Sequence, residues 1–121
     1  MANVNDLYQK GFGQMGSIFA DGDADLKPPT NRVFIAITFL ADTTFDNTTG
    51  GLVADTSNDA VEFIGTEVAA HNATAGNATT VSGEEGLIVD VSNVFPAGIT
   101  IFGRWTEIDL DSGMIIAYIG E

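Results

Sequence analysis

Asp21-Gly22-Asp23-Ala24-Asp25 is the stretch of this chain whose spacing suggests a metal loop. Alternate carboxylates can converge on a hard cation such as Ca²⁺, but the EF-hand pattern then requires Gly at its sixth position and Glu at its twelfth. Leu26 and Arg32 stand there instead. The favoured reading of Asp21, Asp23 and Asp25 is therefore a solvated acidic turn, and no metal is assigned; Glu84-Glu85 is read the same way. His71 is the single histidine and lies among Asn, Ala, Thr and Gly, where nothing nearby in sequence could orient it as a general base. There is no Gly-x-Ser-x-Gly elbow, phosphate loop or dinucleotide fingerprint. Paired carboxylates could in principle hydrolyse a glycoside, but with seventeen acids chance pairs are inevitable, and no aromatic-rich sugar cleft is evident. The expectation is a protein that is not an enzyme and carries no cofactor. Asn47-Thr48-Thr49, Asn72-Ala73-Thr74 and Asn77-Ala78-Thr79 fit the glycosylation sequon and are read as turn and edge residues.

Arg104-Trp105 can be read in two ways. Arg and Trp dominate binding hot spots, so the pair is a candidate interface site. Equally, Trp105 could be a core residue beside an Arg that pairs with Glu107 or an Asp, and this structural reading is favoured.

Charge narrows the partners. Four Lys and Arg face seventeen Asp and Glu, for a formal net charge of −13. Phosphate backbones are bound by Lys and Arg that displace counterions, and Lys10, Lys27, Arg32 and Arg104 cannot build such a stripe within one chain. Nucleic acid is not expected as a partner, and an anionic membrane is disfavoured by the same repulsion. No run of 18 apolar residues is present to span a bilayer. The first residues lack the basic start and apolar stretch of a signal peptide, so synthesis and folding in a cytoplasm are expected. Yet 45% of the residues are hydrophobic and the mean hydropathy is +0.18. A domain of 121 residues hides this with difficulty, so part of it is expected to face another subunit. Without cysteine, cohesion must come from packing.

The elements that would position these residues are strands. Residues 32–46 alternate Val33, Ile35, Ile37 and Phe39 with Phe34, Ala36, Thr38 and Leu40, which predicts a central strand covered on both faces. Asn47–Gly51 reads as a turn, short strands follow near 52–55 and 60–68, and residues 71–80 have loop composition. The last third adds strands at 86–91 and 99–102 and, after a bulge or close approach at Gly103, at 104–110, where Thr106, Ile108 and Leu110 alternate with Trp105, Glu107 and Asp109. Asp111-Ser112-Gly113 has the form of a hairpin loop with a G1 bulge, returning through 114–119. The expected fold is all-β, an antiparallel β-sandwich or jelly-roll-like barrel of about seven or eight strands. It spans residues 32–121, behind an extended N-terminal arm over residues 1–31. Glycines at 11, 13 and 16 weaken any helix in that arm. Leu7, Tyr8, Phe12, Met15 and Phe19 either anchor it on a neighbouring subunit or fold back on their own domain.

The ending Phe95-Pro96-Ala97-Gly98-Ile99-Thr100-Ile101-Phe102-Gly103-Arg104-Trp105-Thr106 with Ile115-Ile116-Ala117-Tyr118-Ile119-Gly120 resembles that of small virion structural proteins of tailed bacteriophages, especially marine ones. The opening Asn5-Asp6-Leu7-Tyr8, Gly11, Gly13, Gly16, Pro28-Pro29 and Val33-Phe34-Ile35-Ala36-Ile37-Thr38 is similar too. The resemblance leaves residues 47–85 uncovered. It implies a capsid decoration (cement) protein on the virion surface: a β-rich homo-oligomer, trimer favoured, bound over lattice junctions of the major capsid protein. Leu7, Tyr8, Phe12, Met15 and Phe19 would then touch the capsid or a sister subunit. A phage fibre or tail receptor-binding module is the alternative.

Overall fold

The computed structural model describes residues 15–46, 50–57, 63–66 and 88–121. Leu7, Tyr8, Phe12, His71, Glu84-Glu85 and the three sequons lie wholly or partly outside the described residues. Among the described residues seven strands form: β1 (Ser17–Asp21), β2 (Asp25–Leu26), β3 (Val33–Phe39), β4 (Thr44–Phe45), β5 (Leu52–Ala54), β6 (Thr100–Ser112) and β7 (Met114–Gly120). Every pairing is antiparallel, and the sheet curls into a half-barrel. The chain is thus all-β, as its alternating β-branched and aromatic runs require.

The curl has a specific cause. β6 and β7 are separated by Gly113 alone, and no β6–β7 ladder exists among the described residues. Residues 111–113, expected as a hairpin loop, do not reverse the chain. β1 runs antiparallel to β7 from Ser17↔Tyr118 to Asp21↔Met114. Gly22 N–H donates to the Gly113 carbonyl at 2.7 Å, Leu110 N–H to that of Ala24 at 2.7 Å, and β2 continues along β6 with Asp25↔Asp109 and Leu26↔Ile108. β6 and β7 are therefore one path, and β3 receives both of its ends. Phe34 lies opposite Trp105 on one edge and Ile119 on the other; Thr38 lies opposite Thr100 and Ile116. A strand that reaches both edges of a single neighbour must wrap round. The same pairings place Ser17–Asp21 and Asp25–Leu26, within the stretch read as arm, in the sheet, the alternative in which that stretch folds back on its own domain.

Two irregularities decide which side chains face inward. The β3 register shifts between Phe34 and Ala36 against both neighbours: opposite β7 the extra residue is Ile35, whereas opposite β6 the extra residue lies in β6, at Gly103-Arg104. A bulge flips the alternation beyond it, so Phe34 joins Ile37 and Phe39 in the core instead of facing away from them. The β5–β6 register shifts between Val53 and Ala54, which lie opposite Glu107 and Trp105. Thr106 is the extra residue here, and Trp105 joins Ile108 and Leu110 inside. Gly103 is the expected close approach: a Cβ there would lie 2.7 Å from the Trp105 indole. Phe39, Phe45 and Phe95 make a packed aromatic trio with centroids 5.1–6.0 Å apart. The expected strand at 86–91 is not found at its described residues: Val89 is buried, and its N–H donates to the Gly65 carbonyl.

Candidate functional site

The outer face of β1, β7, β3 and the first half of β6 carries two cross-strand rows. Register aligns Phe19, Ile116, Thr38 and Thr100 in one row, and Ser17, Tyr118, Ala36 and Phe102 in the next. Directly opposed residues share a face of the sheet, so these side chains form one surface. The two rows contain no charged residue, in a chain of net charge −13, and exposed Asp21, next along β1 on the same face and paired with Met114, borders them. Phe102 is 73% exposed and Phe19 61%, far more than two large rings need be if their only task were packing at home. Thr38 and Thr100 hydroxyls share a 2.8 Å hydrogen bond between the rings. Leu40 and Ile99, also exposed, extend the apolar surface near one end of β3. β3 itself has no exposed residue, its outward Ala36 being buried and Thr38 half-buried; the open surface belongs to its flanks, at Phe19 of β1 and Phe102 of β6.

The remaining interface candidates are placed differently. Met15 packs against the core. Trp105 is fully buried and donates its indole N–H to the Ile64 carbonyl at 2.8 Å, so it presents no surface to a partner. Arg104 binds Asp55, not Glu107: its Nε lies 3.1 Å from Oδ2, and its Nη1 donates to the Glu121 carbonyl at 2.6 Å. Partial burial raises the pKa of Asp55, but hydrogen bonds from the Ser57 N–H, the Ser57 hydroxyl and Arg104, with the Arg104 charge, outweigh it and leave the carboxyl below its ordinary value. A depressed pKa means stability that is present above the ordinary carboxylate range and lost as pH falls through the folded value. A double-mutant cycle of D55N and R104Q is expected to give a coupling of about 0.5–1 kcal/mol at neutral pH, held down by solvent screening, and none near pH ~2. Urea unfolding of the four proteins at both pH values measures it.

A second constellation lies on β2 and β6. Asp25 is the register partner of Asp109, and Glu107 sits two residues earlier on the same side of its strand. One carboxylate oxygen from each lies within 4.8 Å of the others. Asp109 is only 6% exposed. No hydrogen-bond donor reaches its carboxylate among the described residues; desolvation, then the charges of Asp25, Asp46 and Asp23, hold its pKa above the ordinary value. The pKa of Glu107 is also raised, first by a hydrogen bond with Asp25, then by desolvation and the Asp25 charge, against an opposing pull from Lys27. Gly50 leaves room for these groups: a Cβ there would lie 2.6 Å from Glu107 Oε2 and 3.4 Å from Asp109 Oδ2. Asp21, Asp23 and Asp25 do not themselves form a cluster; only Asp25 joins one. Sequence reading missed Glu107 and Asp109 because their partner is supplied by the wrap of β6. The signal that could have found them is the acid–x–acid alternation within a strand.

No family model matches the chain, and neither a curated protein nor a solved structure is similar to it.

Proposed function

We propose that this chain is a structural protein without catalytic activity, that it works by docking the two charge-free rows of its outer sheet face onto other protein subunits, and that its setting is the capsid surface of a tailed phage, as a decoration or cement protein. The observation that carries the docking reading is the exposure of Phe19 and Phe102 within two charge-free rows. The phage setting rests on the resemblance at both ends of the sequence. Phe19, one of the anchors proposed for the arm, acts in this reading from an edge strand of the sheet. The partners are the major capsid protein and sister copies of the chain.

Cementing follows from mass action. A protein that binds only the assembled lattice stabilises that lattice, and self-association multiplies modest contacts through avidity. The acidic remainder of the surface keeps free copies apart, which leaves the two charge-free rows as the place of closest approach.

Sedimentation of the purified chain, alone and with expanded capsid particles, tests the reading. The wild-type chain is expected to self-associate and to pellet with particles. F19S/F102S should bind about a hundredfold more weakly, ~1.4 kcal/mol per ring, with its urea midpoint little changed. Undiminished binding by that variant would remove the face from the mechanism. A wild-type monomer indifferent to particles would remove the proposal. The fibre or tail reading predicts copies confined to the tail, whereas cement predicts a set at every lattice junction.

A further inference from the structure

We infer that Asp25 of β2, with Glu107 and Asp109 of β6, forms a Ca²⁺ site that clamps the second strand to the wrapped sixth. The inference does not rest on the docking reading. Acidic clusters are common on an acidic protein, and this one is set apart by Asp109, a residue only 6% exposed whose carboxylate meets no donor among the described residues. Buried carboxylates are normally hydrogen-bonded or paired, because desolvating an uncompensated charge is costly. Here every strong influence on Asp109 is unfavourable: burial, and the acids Asp25, Asp46 and Asp23. No ion pair among the described residues reaches the three ligands, and Lys27 bears on Glu107 only through the pull of its charge. A cation is the compensation that this arrangement lacks.

The donor set and its size point to Ca²⁺. All three ligands are carboxylate oxygens, the donors of a hard cation. Ca²⁺ binds oxygens at about 2.3–2.6 Å, so ligands on opposite sides stand up to ~5 Å apart, which accommodates oxygens lying within 4.8 Å of one another. Mg²⁺ needs bonds of about 2.0–2.1 Å in near-ideal octahedral geometry and gives up its waters reluctantly, a poorer match to a group closed on one side by backbone. Gly50 provides that closure, since any side chain there would fill the space beside Glu107 Oε2 and Asp109 Oδ2.

The test uses the full chain, stripped with chelator and then titrated with CaCl₂. Calorimetry should give one Ca²⁺ per chain, and thermal unfolding should shift upward by roughly 10 °C at a hundredfold excess over Kd, compared with NaCl of equal ionic strength. D109N should abolish the shift while melting, cation-free, no lower than the cation-free wild type, because the substitution removes a repelled charge. E107Q should reduce the shift and provides the same test if D109N does not fold. D21N, whose carboxylate lies outside the cluster, should keep the shift in full. Equal midpoints in CaCl₂ and matched NaCl would overturn the site, as would a full Ca²⁺ shift in D109N or E107Q.

Discussion

Replacing Trp105 by Ala is expected to remove about 3–5 kcal/mol of stability, the cost of deleting a large buried aromatic side chain, from a domain whose total is of order 5–15 kcal/mol. Trp105 is fully buried and lies opposite both Phe34 on β3 and Ala54 on β5. It therefore packs where two neighbours meet the wrapped strand, and truncation opens a cavity that neither can fill alone. The indole N–H also holds the Ile64 carbonyl, so Trp105→Phe keeps most of the volume yet should still cost about 1–2 kcal/mol through the lost bond. Urea unfolding followed by circular dichroism measures both. Because the chain has a single Trp, fluorescence gives an independent reading: wild-type emission should be blue-shifted and resist iodide quenching. A quenchable Trp105, or an Ala variant as stable as wild type, would return this residue to the surface as an interface anchor.

The sequence read correctly where local chemistry decides. The β-branched and aromatic run of Val33–Phe39 forms a central strand, Leu52–Ala54 and Met114–Gly120 are strands, and Phe95–Gly98 leads into β6. It failed where one extra residue reverses a face. Alternation placed Phe34 away from Ile37 and Trp105 away from Ile108; the bulges at Ile35 against β7 and at Thr106 against β5 bring all four inside. No local signal marks those residues, because a bulge is fixed by the two ladders it must reconcile. The strand at Ser17–Asp21 was not legible for a related reason. Ser17–Asp21 is short and ends in Ala and Asp, which strands disfavour, and it is tied into the sheet by its pairing with the β7 edge. The candidate sites follow from the same non-local geometry. Phe19 and Phe102 share a surface only once β7 and β3 lie between them, and Asp25 meets Asp109 only once β6 has wrapped. The types of residue that could act were legible in the chain; the faces on which they stand were not.

That wrap makes Gly113 a sensitive backbone position. Gly113→Ala is expected to cost about 3–5 kcal/mol, the sum of backbone strain at positive φ and overpacking. Its φ is +120°, and a Cβ would fall 2.2 Å from Thr43 Oγ1 and 2.6 Å from Thr43 Cα. Thr43 has no freedom to yield. It is fully buried, its hydroxyl donates to the Ala41 carbonyl and accepts from the Met114 N–H, and its backbone pairs with Phe95 in both directions. Gly113→Asn separates this geometry from the hairpin that Asp-Ser-Gly suggests. At the left-handed position of a hairpin loop, Asn is tolerated because its short polar side chain bonds locally. Packed against Thr43, Asn has nowhere to go and should lose about as much as Ala. Gly98 is the internal control: its φ is +93° but nothing lies within 4 Å of its Cβ position, so Gly98→Asn should cost under ~1 kcal/mol. Urea unfolding of the four proteins decides the matter. A Gly113→Asn variant as stable as Gly98→Asn would mean that β6 and β7 turn back on each other. The single wrapped path, with both the docking face and the carboxylate cluster that depend on it, would then fall together.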